Sequence, residues 1–144
     1  MKLPVIGITM GDPSGIGPEI IVKTLAEMDP QTRAVSAVVG NMNILRRADK
    51  LLGTRLTFVD GLDAKSGEVP VADVPTKDQD KIRDGQVGAA GGEAAYRYVE
   101  AAVKRAGDLA KILMAHRFKE GSLDIYLPEV QILVDEGGNP TDIV

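Results

Sequence analysis

A chain of 144 residues that is 44% hydrophobic carries enough apolar mass for a buried core, which excludes general disorder. A net charge of −4 leaves no basic footprint for nucleic acid or an anionic membrane, and aromatic residues at 3% exclude a platform for stacking bases. With no cysteine there is no disulfide framework, thiol nucleophile or thiolate metal site, and without a signal peptide or a transmembrane stretch the expectation is a cytoplasmic α/β protein.

LPVIGI, residues 3–8, is a short aliphatic run that reads as a buried parallel strand. It breaks into GDPSGIG and then PEIIVKTLAEM, where Ile20, Ile21, Leu25 and Met28 fall in helical order and Pro18 suits the first helical position. Residues 33–40 read as a second strand. Residues 41–53 read as a second helix with Ile44, Leu45, Ala48, Leu51 and Leu52 on one face, and Gly53 stands where a left-handed cap belongs. RLTFVD, residues 55–60, completes a βαβαβ pattern, the signature of a parallel sheet.

Residues 60–87 are polar and rich in Asp, Gly and Pro, and read as a long loop or crossover. Residues 88–106 read as a helix with Ala95, Val99 and Ala102 inward; Gly91 and Gly92 weaken it in isolation, so close helix packing is the better reason for them. From Gly107 a further helix is expected, with Leu109, Ile112 and Leu113 inward and His116 structural. Two extended pieces follow around a Glu-Gly-Gly-Asn turn. The charge shifts here as well: residues 1–106 carry 14 basic and 14 acidic side chains, residues 107–144 carry 3 and 7.

The loop after the first strand is the candidate site. Ligands of parallel α/β sheets bind outside the carboxyl ends of the strands, and Gly11, Gly15 and Gly17 lie in that position beside a helix N-terminus. Glycine lets a backbone turn sharply or come within contact of a ligand. Two readings stand side by side: a loop that contacts a ligand, and a tight turn in which Asp12 bonds its own loop amides while Glu19 complements the helix end.

GITMGDPSGIGPEIIVKTL resembles the opening of the 4-hydroxythreonine-4-phosphate dehydrogenase family, and more distantly that of isocitrate and isopropylmalate dehydrogenases. The resemblance continues through VVGNMNILRRADKLLG and GQVGAAGGEAAYRYVEAAV and spans about residues 1–106. It implies a truncated βαβαβ half of an isopropylmalate-dehydrogenase-like fold over residues 1–106; residues 107–144 read as a separate segment, a short α+β tail. It further implies NAD- and divalent-metal-dependent oxidation of a phosphorylated hydroxy acid, of the kind used in pyridoxine biosynthesis, in a homodimer. Gly11, Asp12, Gly15, Ile16 and Gly17 would then lie near the nucleotide. The family's metal-holding histidines and its phosphate-reading His-Thr motif lie beyond the matched segment, and His116 is the single histidine here, so no catalytic or metal residue transfers. The expectation for these residues alone is weak nucleotide binding at most and no turnover.

Residues 108–144 resemble instead a piece of the RNB-type exoribonuclease domain, through Arg117, Phe118, Gly121, Ser122, Leu123, Asp124, Leu127, Pro128, Glu129, Asp135, Glu136, Gly138 and Pro140. That family's Mg²⁺-holding aspartates lie upstream of the shared piece. Asp78, Asp80 and Asp84 read as a solvated loop, and Asp124 and Glu129 as structural. The alternatives to a dehydrogenase are therefore an RNA-processing fragment or a non-catalytic binding module.

Overall fold

The computed structural model describes residues 5–120, 132–134 and 140–143, with side chains over residues 5–107. The chain divides into two compact units, Met1–Ala102 and Val103–Val144. No helix among the described residues is long and apolar enough to cross a membrane.

The first unit is α/β. Its strands are β1 (Ile6–Thr9), β2 (Ser36–Gly40), β3 (Thr57–Asp60) and β4 (Glu68–Asp73). Its helices are α1 (Gly17–Glu27), α2 (Pro30–Ala34), α3 (Met42–Leu52) and the beginning of α4 (Ala89–Glu120). The four strands form one sheet in the order β1-β2-β4-β3, parallel throughout, with Ile6 beside Ser36, Val38 beside Val71 and Thr57 beside Glu68. β2 is buried at every residue, as a strand covered on both faces must be, and it is accordingly a continuous run of small and aliphatic side chains. Val22 and Leu25 of α1, Leu45 and Ala48 of α3, Val69 and Val71 of β4, and Ala94 and Tyr98 of α4 close the core around Val38.

The helix ends follow local chemistry. The Asn41 side chain accepts from the amides of Asn43 (3.0 Å) and Ile44 (3.1 Å), opening α3, and Gly53 closes it in the left-handed conformation (φ 67°). Asp73, at the end of β4, adds a 2.8 Å bond from the Met42 amide. Asp29 caps α2 through Gln31 and Thr32, and the Thr32 hydroxyl and amide hold its carboxyl below the usual range. Arg33 then reaches back to the end of α1, donating to the carbonyls of Leu25 (2.7 Å), Ala26 (3.1 Å) and Met28 (2.9 Å). These are carbonyls that a helix C-terminus leaves without intrahelical donors.

Several expectations are corrected. The second strand begins at Ser36 rather than at residue 33, because Asp29 and Pro30 open a helix, α2, that takes in Arg33 and Ala34. β1 is an edge strand with Val5, Ile6 and Gly7 exposed, not a buried one, because only β2 flanks it. The stretch 60–87 contains β4, which lies inside the sheet. Pro70 obscured it, since proline cannot donate to a ladder, and pairing with β2 begins one residue beyond it at Val71. β3 reaches β4 through residues 61–67 alone, shorter than the dozen or so residues a parallel crossover usually takes, with the Gly67 amide held on the Pro30 carbonyl at 2.9 Å. On α3 the buried stripe stops at Ala48, and Leu51 and Leu52 in the last turn are exposed as the chain turns away at Gly53.

A last correction concerns α4. Its inward face over residues 89–102 is Gly91, Ala94 and Tyr98, one position off the expected set; Ala95 and Ala102 are half-buried and Val99 is 50% exposed. The backbone of α4 runs unbroken through Gly107 to Glu120. In the second unit, β5 (Ile132–Val134) and β6 (Pro140–Ile143) pair antiparallel, with a register shift between Leu133 and Val134. The side chains of Leu109, Ile112, Leu113, His116, Arg117, Phe118 and Pro140 lie outside the described residues. So do the turn at 136–139 and residues Gly121 through Glu129, Asp135, Glu136 and Gly138.

Candidate functional site

The carboxyl ends of β1, β2 and β4 bring together the glycine loop, Asn41 and Asp73. The loop starts from Met10, whose amide extends the sheet by a 3.0 Å bond to the Val39 carbonyl and whose side chain is 1% exposed. Two glycines make room for it. A Cβ on Gly17 would stand 2.5 Å from the Met10 carbonyl oxygen, and one on Gly40 would stand 2.6 Å from the Met10 Cβ. Neither separation is open to a real side chain, so α1 can begin against β1 only through glycine.

Beyond Met10 the chain turns at Gly11 (φ 73°). Asp12 Oδ1 accepts from both the Ser14 amide (2.9 Å) and the Ser14 hydroxyl (2.6 Å), and the Gly15 amide returns to the Asp12 carbonyl at 3.0 Å. This is an aspartate turn of the kind in which the side chain substitutes for backbone pairing. The Gly85 amide donates to the Ser14 carbonyl at 2.7 Å, which ties the loop to the approach of α4. Pro13 and Ser14 are buried by this packing, whereas Gly15 and Ile16 are exposed, Ile16 by 73%.

Ile16 is also the N-cap of α1, and it supplies no side-chain acceptor. Pro18 has no N–H and the Ile20 amide bonds the Ile16 carbonyl at 3.0 Å, so the Gly17 and Glu19 amides are the ones without a partner inside the helix, next to the exposed Gly15–Ile16 corner. Glu19 lies in this first turn with one carboxylate oxygen buried and, among the described residues, unpartnered.

Behind the loop lies a polar group that sequence reasoning missed. Tyr98 is fully buried, and its hydroxyl and that of Thr76 are neighbours, but neither completes a hydrogen bond among the described residues. Burial pushes the Tyr98 phenol up to about 12; the nearby Thr76 hydroxyl opposes this, and the charges of Asp73 and Asp12 add to it. The only sequence signal was a tyrosine three residues from the expected inward Ala95, on the neighbouring stripe of α4.

Gly11, Asp12, Gly15, Ile16 and Gly17 are thus one contiguous loop with divided duties. Gly17 serves close packing and Asp12 is engaged with Ser14, while Gly15 and Ile16 face solvent. Among the described residues no group of three or more His, Cys, Asp or Glu side chains is placed to hold a metal ion.

No family model matches the chain. A crystal structure of 4-hydroxythreonine-4-phosphate dehydrogenase from Klebsiella pneumoniae superposes with a TM-score of 0.60 at 38% identity, over 75% of this chain and 34% of that one. Over that segment the chain is similar to 4-hydroxythreonine-4-phosphate dehydrogenases. The D-threonate 4-phosphate dehydrogenase of Cupriavidus necator is 38% identical over 106 residues, 70% of this chain and 32% of the relative. A Clostridium botulinum protein provisionally named for the same activity aligns at 29% identity over 92% of the chain, so its alignment runs past residue 106. The chain spans between 32% and 42% of the lengths of these two relatives. The motifs that resemble the dehydrogenases fold as the glycine loop with α1, β2 with α3, and the start of α4, all begun in the first unit.

Proposed function

We propose that the first unit is the glycine-loop part of an NAD-dependent dehydrogenase acting on a phosphorylated hydroxy acid, and that the loop lies beside the bound dinucleotide. The observation that carries this reading is the amino end of α1. α2 and α3 are closed by Asp29 and Asn41, but α1 opens without a side-chain cap next to Gly15 and Ile16. Backbone amides at such a helix end suit an anionic or polar edge of a ligand. A Cβ on Gly11 would meet no atom within 4 Å, and one on Gly15 would meet only Asp12, so a ligand has room against both. The residues present therefore fit a dinucleotide edge.

Bound NAD would supply a hydride acceptor. This chain's own residues would supply the floor: Gly15 and Ile16 as the surface of approach, Asp12 and Ser14 as the clamp that fixes them. A divalent metal and a homodimer belong to the same reading by resemblance. Binding without turnover is expected of this chain.

Titration calorimetry with NAD on the parent chain and on Gly15→Val tests the reading. Gly15 is exposed, and an added Cβ would lie 3.4 Å from the Asp12 carbonyl oxygen, so the variant folds and loses binding. A parent chain that binds no NAD refutes the cofactor reading, and turnover of a phosphorylated hydroxy acid by this chain refutes binding without turnover. The Asp12–Ser14 turn favours a second reading, a loop that only connects β1 to α1; that reading holds if Gly15→Val lowers stability and the parent binds nothing.

A further inference from the structure

We infer that Gly91 of α4 is a positioning residue for the glycine loop. A Cβ built on Gly91 would stand 2.5 Å from Asp12 Oδ1, 2.6 Å from Ser14 Oγ and 3.2 Å from Asp12 Cγ. Those are the atoms that make the aspartate turn, since Oδ1 receives both the Ser14 amide and the Ser14 hydroxyl. The α4 backbone therefore approaches the loop as closely as a chain without a side chain allows, and the first turn of a helix complements a carboxylate held against it. Any side chain at residue 91 displaces Asp12, opens its bonds to Ser14 and moves the Gly15–Ile16 corner that those bonds hold. The direct contact is to Asp12 and Ser14, and the effect on a ligand passes through them.

The neighbouring glycine supplies the control. Gly92 is in the same helical turn, and a Cβ there would meet nothing within 4 Å. Alanine at either position gains the same helical preference over glycine, so the two variants differ in what the added methyl strikes. The inference rests on the dinucleotide reading only for its consequence on binding; the displacement of the loop is independent of it.

The experiment compares Gly91→Ala with Gly92→Ala in the full chain, following the amide resonances of Ser14 and Gly15 and the affinity for NAD. Gly91→Ala is expected to shift both resonances and weaken NAD binding about tenfold or more, the scale of misplacement by about an ångström, while Gly92→Ala changes neither. Unmoved loop resonances in Gly91→Ala overturn the inference, as do moved resonances with unchanged NAD affinity. Moved resonances in a chain whose parent binds no NAD uphold the positioning and refute the cofactor reading. If Gly91→Ala fails to fold, the triple variant Gly91→Ala, Asp12→Gly, Ser14→Gly removes the three atoms nearest the methyl; recovery of folding supports the contact, and failure to recover overturns it.

Discussion

Replacing Tyr98 by phenylalanine removes one oxygen from the core and gives two separable effects. At neutral pH the hydroxyl is buried with no completed hydrogen bond, and a buried polar group left in that state costs about 1–3 kcal/mol. Tyr98→Phe is therefore expected to raise stability by about 1 kcal/mol at pH 7. The second effect is a change of slope with pH. The folded phenol is pushed up to about 12 from an ordinary value of 10.0, so between those values the unfolded chain releases its proton while the folded chain keeps it. Stability from this group is complete below pH 10 and declines as the pH rises, by about 1.4 kcal/mol at pH 11. Urea unfolding of both proteins at intervals from pH 7 to pH 11 measures each effect, and the lysines and other tyrosines cancel in the difference. Curves that stay parallel to pH 11 would refute the burial argument. A variant less stable than the parent at pH 7 would show that the hydroxyl has a partner, such as a buried water.

Arg33→Ala leaves three carbonyls at the end of α1 without the guanidinium, and a loss of about 2–3 kcal/mol in chemical denaturation is expected. Arg33→Lys recovers little of it, because one ammonium cannot reach the carbonyls of Leu25, Ala26 and Met28 as a planar fork does. Gly17→Ala sets a methyl against the Met10 carbonyl and is expected to cost about 3 kcal/mol or more, whereas Gly7→Ala, with open space, stays within about 0.5 kcal/mol in the same melts. Asn41→Ala removes the α3 cap and lowers stability by about 1 kcal/mol, and Asn41→Asp retains most of it.

What the sequence made legible was local. Gly53 as the end of α3, Pro18 in the first turn of α1, and a sharp glycine turn between β1 and α1 each depend on a few neighbouring residues, and each is found. The missing features depend on contacts between distant parts of the chain. β4 was hidden because Pro70 and the surrounding Asp and Gly residues carry loop composition, while its place inside the sheet is set by β2 and β3 on either side. Arg33 gave no signal, since its acceptors belong to a different helix. On α4 the apolar count favoured Ala95 and Val99, but the helix is oriented by a glycine that leaves room for Asp12 and a tyrosine that is buried in the core. A glycine that acts through contact looks in the sequence like one that merely weakens a helix.

The space that Gly17 and Gly40 leave is filled by Met10, and this makes the thioether chemically silent. Peroxide reaches a methionine sulfur only where solvent does, and Met10 is 1% exposed in a gap that would not admit even a Cβ on Gly40. Sulfoxide forms there only while the loop is lifted off the sheet, so its rate of appearance by mass spectrometry counts those openings. Free methionine added to the sample supplies the reference for oxidant strength, because the Met28 sulfur lies against the buried Ser36 hydroxyl at 3.8 Å. A ligand that seats on the loop slows oxidation of Met10 and leaves that of the free methionine unchanged. Met10 thereby becomes a built-in gauge of occupancy that requires no label.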